Sequence, residues 1–527
     1  MTCKGWLGTS QDMILDNAPR SNPMFTSIKP NFSGEFLEKD QIWQVMAGNQ
    51  TGHGETIVLP PCHLDQSEST RMPNAMRVKR SNLPIRTAII PSKVVNRSAS
   101  IRCQAERSRA ANPQRNHLGS LLSPKVLVKG HAIYDAYRDA ISNAKCEVLL
   151  QTYHWDRADG DPSPAQYIMD GLKDLEHRVK ISRGDPVQVY FLVDEGPLLM
   201  PGGRSDANLQ NLLADLEGLN LDPTLVQVHV APWRHMALGS NHAKSLTVDG
   251  QMAIITGSNA QSDNMRSDGK EYLNAGWFDL GFVGFGAIAS DQRRDFVEQW
   301  QQCAEPIPSI KAPINLALRR SYPKLDVCRR ISTVGRHARD WPGGSMDSTQ
   351  SAAFLQEIRR CRSVVKMRTP NLNVKEVMDA LADAACRGVK VKLILSKGFN
   401  HLAENMPFQG GGNEVNAQRL KDQVMAKGGD EALQNLDMRW YASGAEEPVD
   451  DGAFFGRFSH SNRLQSSHAK YASFDHRAVI VGSTNMDHQS WYHSREFNWL
   501  VKDPSLARRW TKQAFDACFD RAKAFKI

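Results

Sequence analysis

The chain has 527 residues and a formal net charge of +8, with 41% apolar and 8% aromatic residues. That composition argues against a fibrous or wholly disordered protein, and the length allows two or three domains with full cores. No apolar run is long enough to span a bilayer, the opening MTCKGWLGTSQDMILD lacks the pattern of a standard secretory signal, and the nine cysteines are scattered without a CxxC, which argues against a zinc site or a disulfide framework and fits a reducing compartment.

Residues 1–120 are rich in Ser, Asn, Pro and Arg and show no sustained period, so they are predicted to be largely disordered. Between Arg71 and Arg115 stand eleven basic residues and one acid, Glu106. Such an arm suits anionic lipid or nucleic acid, and equally a solvated tail with no partner. Regular pattern starts with a strand at 126–128, a helix at about 131–144 and a buried strand at 147–153. A helix at about 164–178 and the strand VQVYFLVDEG (187–196) follow. A helix at about 205–217 and the short strand VQVHVAP complete this series. The order then repeats: helix 349–361, strand SVVKMRTPN, helix VKEVMDALADAACRG, strand VKVKLILSKG (389–398), helix 415–427 and strand LDMRWYA. Strands alternating with helices of this length predict an α/β sandwich with a mostly parallel sheet. Two homologous halves are expected, 121–310 and 345–527, joined by a linker at 311–344.

Each half then reaches the same kind of segment. SSHAKYASFDHRAVIVGSTNMD (466–487) places His468 and Lys470 on one face of an extended stretch, because side chains alternate along a strand. Asp475-His476-Arg477 reads as a turn, 478–481 as the return strand, and Gly482-Ser483 as its end, which brings Asn485 back beside His468. NHAKSLTVDGQMAIITGSNAQSD (241–263) repeats this with His242, Lys244, Asp249 and Asn259, and His and Asn stand seventeen residues apart in both copies.

H-x-K-x4-D-x6-G-S-x-N, present twice, resembles the phospholipase D superfamily. The second copy fits throughout. The first has Thr256 where the second has Gly482, and Gly257 where it has Ser483, with Ser258 following. The resemblance covers both halves and excludes the N-terminal arm. It implies that the halves pack about a pseudo-two-fold axis, with both motifs facing one active site and a single chain sufficient for activity.

In such a pocket Lys244, Lys470, Asn259 and Asn485 supply charge and donors for the non-bridging oxygens of a phosphodiester. One neutral imidazole attacks phosphorus and becomes a phospho-histidine, while the other protonates the leaving alcohol and then deprotonates water or a second alcohol. By resemblance His242 is the nucleophile and His468 the general acid. No metal or other cofactor is expected, because the lysines and asparagines take that electrostatic role. Each His needs an acid to fix its tautomer. Glu496 in HSREFNWLV is expected for the second half, and Asp279 in GWFDLGF, ahead of Glu271 in GKEYLNAG, for the first. Asp249 and Asp475 begin turns and are expected to be structural.

Weaker candidates are His154 and Trp155 at a strand end, SWYHS (490–494) as an aromatic lip or a packed corner, and PFQGGGNE (407–414) as a mobile loop. The expected substrate is a glycerophospholipid at a membrane surface, with water or an alcohol as acceptor. Cardiolipin synthase-like transfer is a close variant, and metal-independent cleavage of nucleic acid is the second class. The expected location is cytoplasmic, or outside the cell by a specialised export route.

Overall fold

The computed structural model describes residues 119–524 apart from 159–162, 198–206, 236, 266–276, 311, 341–343, 400–403, 406–408 and 442–466. The basic arm, Glu271 and part of 407–414 lie outside the described residues.

The first half folds on a nine-stranded sheet. Its strands are β1 (Ser120–Leu122), β2 (Leu127–Val128), β3 (Glu147–Thr152), β4 (Val187–Pro197), β5 (Val226–His235), β6 (Ser245–Val248), β7 (Met252–Thr256), β8 (Leu280–Phe285) and β9 (Asp326–Cys328), in the order β5-β4-β3-β6-β7-β8-β1-β9 with β2 also on β8. The second half has β10 (Ile331–Arg336), β11 (Val364–Thr369), β12 (Lys390–Leu395), β13 (Leu436–Trp440), β14 (Tyr471–Phe474), β15 (Ala478–Gly482), β16 (Glu496–Val501) and β17 (Lys523–Ala524), in the order β10-β16-β15-β14-β11-β12-β13-β17. The succession β5-β4-β3-β6-β7-β8 thus recurs as β13-β12-β11-β14-β15-β16.

The sheets are mixed rather than mostly parallel. Parallel pairing is confined to β3-β4-β5 and β11-β12-β13, where helices cross over between strands. The two motif hairpins have tight turns, so β6-β7 and β14-β15 can only pair antiparallel, and they join the centre of each sheet that way. Within 311–344, expected as a linker, β9 joins the first sheet and β10 pairs with β16 in the second.

Both faces of the central strands are buried, and the alternation along them decides what each face meets. In β7, Met252 and Ile254 enter the core beneath the first half's helices, while Ala253 and Ile255 face a second core. In β15, Ala478 and Ile480 face the other half's helices, while Val479 and Val481 enter that same second core. Phe282 of β8 and Trp499 of β16 belong to it too, and Phe282 lies 4.8 Å from the ring of Trp510. The halves therefore meet sheet to sheet through one apolar layer, and the ends of their motif hairpins come together at its margin.

Candidate active site

His242 and Lys244 lie just ahead of β6, and His468 and Lys470 just ahead of β14. Ala243 and Ala469, between them in sequence, point the other way into the inter-sheet layer and are fully buried. Small apolar residues there let the two extended segments approach while the imidazoles and ammonium groups stay on the opposite side.

Each segment is held by the other half. Asn241 bridges in parallel to Arg495, with His242 N donating to Arg495 O at 3.0 Å and Arg495 N to Ser240 O at 2.7 Å. Ser467 bridges in parallel to Phe278, and His468 N donates to Phe278 O at 2.9 Å. In both places the residue before the histidine pairs with the residue before an acid.

The acids are consequently exchanged. His242 Nδ1 is 2.9 Å from Glu496 Oε1, and His468 Nδ1 is 2.9 Å from Asp279 Oδ2. This corrects the expectation that Asp279 or Glu271 serves His242 and that Glu496 serves the histidine of its own half. A short strand and turn cannot fold an acid back onto its own hairpin once the backbone ahead of that acid is hydrogen-bonded to the opposite half.

The two pairs are supported differently. Glu496 Oε2 accepts from the Ser483 hydroxyl, and Ser483 Oγ in turn accepts from Phe497 N at 3.1 Å. At the equivalent Gly257 an added Cβ would stand 2.5 Å from Asp279 Oδ1 and 2.7 Å from Lys470 Cδ, so no hydroxyl fits. Asp279 Oδ1 accepts from its neighbour Leu280 N instead, at 3.1 Å. Thr256, in the place of Gly482, sends its hydroxyl to Leu280 O at 2.7 Å. At Gly482 a Cβ would lie 2.4 Å from Phe497 O, which accounts for a glycine there.

Electrostatics follow this asymmetry. Burial works to raise the Glu496 carboxyl, but His242, Lys244 and Ser483 outweigh it and hold it below the usual range. Burial raises Asp279 to about 6, against the pull of Lys470. Burial lowers His242, with Glu496 opposing; His468 is driven much lower by burial together with Lys470 and Lys244. The ammonium groups share the strain: burial and the nearby Lys470 hold Lys244 well below normal, and burial brings Lys470 to about 8. Each lysine donates to the carbonyl of the histidine two residues before it, Lys244 Nζ to His242 O at 2.6 Å and Lys470 to His468 O. Two buried cations so close together favour an anion between them.

The asparagines end the return strands. Asn259 and Asn485 are 4% and 6% exposed, and each has a side-chain oxygen with no partner. Asn485 Nδ2 donates to Asp487 at 2.9 Å, and Trp491 Nε1 anchors the Asn485 carbonyl at 3.1 Å. The Ser258 amide is held by Thr256 Oγ1 at 3.0 Å.

The motif aspartates lie at the far ends of the hairpins. Asp249 and Asp475 have φ of 54° and 51°, a left-handed conformation that Asp tolerates better than most residues. Asp249 accepts from the amides of Lys145, Cys146 and Glu147 at 2.7–3.0 Å, and Asp475 from those of Arg362, Ser363 and Val364 at 2.9–3.0 Å. Each ties its turn to the start of the neighbouring parallel strand.

Among the weaker candidates, Trp155 is a core residue, fully buried with Nε1 donating to Asp215 at 2.9 Å. SWYHS is a packed corner: Trp491 is fully buried, and Tyr492 donates to Glu376. The described end of 407–414 is tied down, with Asn416 Nδ2 donating to the carbonyls of Gly410, Gly411 and Gly412. Sequence reading missed the rings around the imidazoles. Tyr153 lies 5.2 Å from His242 with Lys244 Nζ over its face at 5.1 Å, while Trp277 and Phe399 lie 5.1 and 5.7 Å from His468. Trp277 sits two residues before Asp279, a spacing that places both on one face of a strand. The buried Arg495, which donates to Gln151 and Asn241 and pairs with Asp295, was missed as well.

The chain is similar to several known proteins. The sequence profile "Cardiolipin synthase, PLD-like domain" matches residues 354–518. Cardiolipin synthase A of Pseudomonas putida (strain GB-1) is 25% identical over 287 residues, which is 53% of this chain and 51% of that protein, so the match spans about half the relative's length. In fold, the chain is similar to the crystal structure of phosphatidylserine synthase from Haemophilus influenzae Rd KW20, with a TM-score of 0.54 and 12% identity over 78% of this chain and 90% of that one. A phospholipase D family member, Nuc from Salmonella typhimurium, aligns over 38% of this chain and 99% of its own, at 15% identity and a TM-score of 0.25.

Proposed function

The chain belongs to the phospholipase D superfamily, and from that premise we propose that it is a phosphatidyl-transferring enzyme, acting on a glycerophospholipid at a membrane surface and passing the phosphatidyl group to water or an alcohol. The observation that carries this reading is the crossed arrangement: two imidazoles, each oriented by a buried acid of the opposite half, beside two buried ammonium groups.

His242 is the nucleophile. Glu496 fixes its Nδ1 proton, which leaves Nε2 as the lone pair that attacks phosphorus. A P–N bond forms, the P–O bond to the leaving alcohol breaks, and His468 gives that oxygen its proton. In the second step the acceptor's O–H gives its proton to His468, its oxygen attacks phosphorus, and the P–N bond breaks. Lys470 and Lys244 disfavour a charged His468 in the free enzyme. A bound phosphodiester anion offsets their charge and lets His468 carry the proton that the first step requires. Both motifs stand in one chain, so a monomer suffices.

The test is a mixed-liposome assay with and without added ethanol, run in EDTA beside plasmid and RNA cleavage, for wild type and His468→Ala. Released head group or phosphatidylethanol, absent in the variant, is the expected result. Cleaved nucleic acid with inert liposomes overturns this reading in favour of a nuclease, for which the basic stretch 71–115 would supply the backbone contacts. Wild type quenched in denaturant at neutral to mildly alkaline pH, which spares the acid-labile P–N bond, is expected to carry label from phosphatidyl-labelled lipid on His242.

A further inference from the structure

The two halves treat one pair of equivalent positions in opposite ways. Trp155 bridges to Ala260 and Leu372 to Met486, each one residue past its motif asparagine, so His154 corresponds to Asn371 and Asp156 to Asn373. In the first half the acid has an imidazole beside it: His154 Nε2 lies 3.2 Å from Asp156 Oδ1, and Ser262 fills the other oxygen from its amide and hydroxyl at 2.9 and 2.8 Å. In the second half the acid is Glu404, 7% exposed, and it has carboxamides in place of a cation. Asn371 Nδ2 donates to Oε1 at 2.7 Å and Asn373 Nδ2 donates to Oε2. The charge that acts on it is a second acid, Asp487, which holds Asn485 Nδ2 and caps the following helix through Ser490 N at 2.7 Å. Burial and Asp487 push the Glu404 carboxyl up to about 9.

Two buried oxygens there have no partner. Asn371 is 1% exposed, and its Oδ1, on the same carboxamide that grips Glu404, has no partner; neither has Oδ1 of Asn485. Buried acceptors without donors are destabilising, and the complement to two acids and two such oxygens is a cation with several N–H groups. Asp487 accepts from the motif asparagine Asn485 at 2.9 Å, and Leu372 bridges to Met486 beside it, which places this cluster next to the second motif.

We propose that Glu404, Asp487 and Asn371 form a subsite for a primary ammonium group, so that the head group or acceptor alcohol handled on the Asn485 side is an amino alcohol. This rests on the phosphatidyl-transfer reading for its catalytic meaning, but not for its existence as a binding site. A quaternary ammonium has no N–H to give these oxygens and is a poorer fit, and a neutral polyol brings no charge.

Ligand-observed NMR on the full-length protein, with ethanolamine, choline and glycerol as probes, tests the site directly. Ethanolamine is expected to bind about tenfold tighter than the other two, and Glu404→Gln, checked for folding by circular dichroism, to remove that preference. Equal binding of the three by wild type overturns the proposal whether or not the variant folds. In liposomes supplied with equal ethanolamine and glycerol, the ratio of the two transfer products is expected to favour ethanolamine and to fall about tenfold in Glu404→Gln. An unchanged ratio in active protein overturns the subsite and leaves the transfer reading standing. Ethanolamine binding without any transfer overturns the transfer reading and leaves the subsite standing.

Discussion

The two halves carry the same motif on the same strand order, yet they support it differently. The second half gives Glu496 a hydroxyl at Ser483; the first gives Asp279 a bare glycine and a neighbouring amide. Because the acids are exchanged between halves, the better-fixed carboxylate of the second half serves the histidine of the first. The difference teaches that a pseudo-symmetric site need not hold two equal imidazoles. His242 faces an acid held anionic, and His468 faces one whose proton affinity burial has raised to about 6. That division suits one group that forms a bond to phosphorus and one that exchanges protons.

The comparison breaks most sharply at the acids. His242→Ala and His468→Ala are each expected to abolish turnover, and Glu496→Gln and Asp279→Asn to lower it by about two to four orders of magnitude. If the pairing is crossed, Glu496→Gln slows labelling of His242 in a single turnover, and Asp279→Asn slows departure of the alcohol; labelling of His242 untouched by Glu496→Gln would contradict it. Making the halves alike should harm the enzyme. Gly257→Ser drives a Cβ to 2.5 Å from Asp279 Oδ1, and is expected to cost about 1–3 kcal/mol of stability and most of the activity, read by thermal unfolding and initial rates. The reverse change, Ser483→Ala, leaves Glu496 Oε2 without its hydroxyl and is expected to lower kcat about tenfold, a loss of about 1.4 kcal/mol.

A gentler probe is pH. His468 is depressed well below its ordinary value by burial and the two lysines, so it is neutral in the free enzyme near pH 7. An oxyanion that offsets the lysines restores its affinity for a proton, and binding is then coupled to proton uptake. Tungstate inhibition is expected to strengthen as pH falls from 8 toward 6, and to lose that dependence in His468→Asn. The smallest effect concerns Asp475, whose carboxyl the Val364, Ser363 and Arg362 amides hold low against a burial effect that opposes them. Its depressed value means that its stabilisation is present above the unfolded value and lost as pH falls through the folded one. Asp475→Asn is expected to cost about 1 kcal/mol in urea unfolding at pH 7, with kcat unchanged within about twofold.

The local parts of this site were legible in the chain. His468, Lys470 and Asn485 come together through a hairpin of fixed length, and alternation alone puts the first two on one face. The repeat of that spacing at 242–259 made the two-fold arrangement legible through family resemblance. The exchange of acids was not, because 254 residues separate His242 from Glu496 and 189 separate His468 from Asp279. Each acid follows its own half's motif in order, and nothing in that order says which sheet its backbone will meet. The mixed character of the sheets was missed for a related reason: the hairpin was read as a unit, but its place at the sheet centre depends on both faces being covered. Trp155 and Trp491 show the same limit, since an aromatic at a strand end or in a corner reads alike whether it lines a cleft or fills a core.

The exchange of acids also bears on the order in which the protein is made. A ribosome completes His242, Lys244 and Asn259 long before it reaches Glu496, the acid that orients the first imidazole. The emerging first half is therefore chemically silent however well it folds, and both histidines are armed in one event, when the last strands close the second sheet against the first. The contacts that complete the fold are therefore the same ones that give each imidazole its acid.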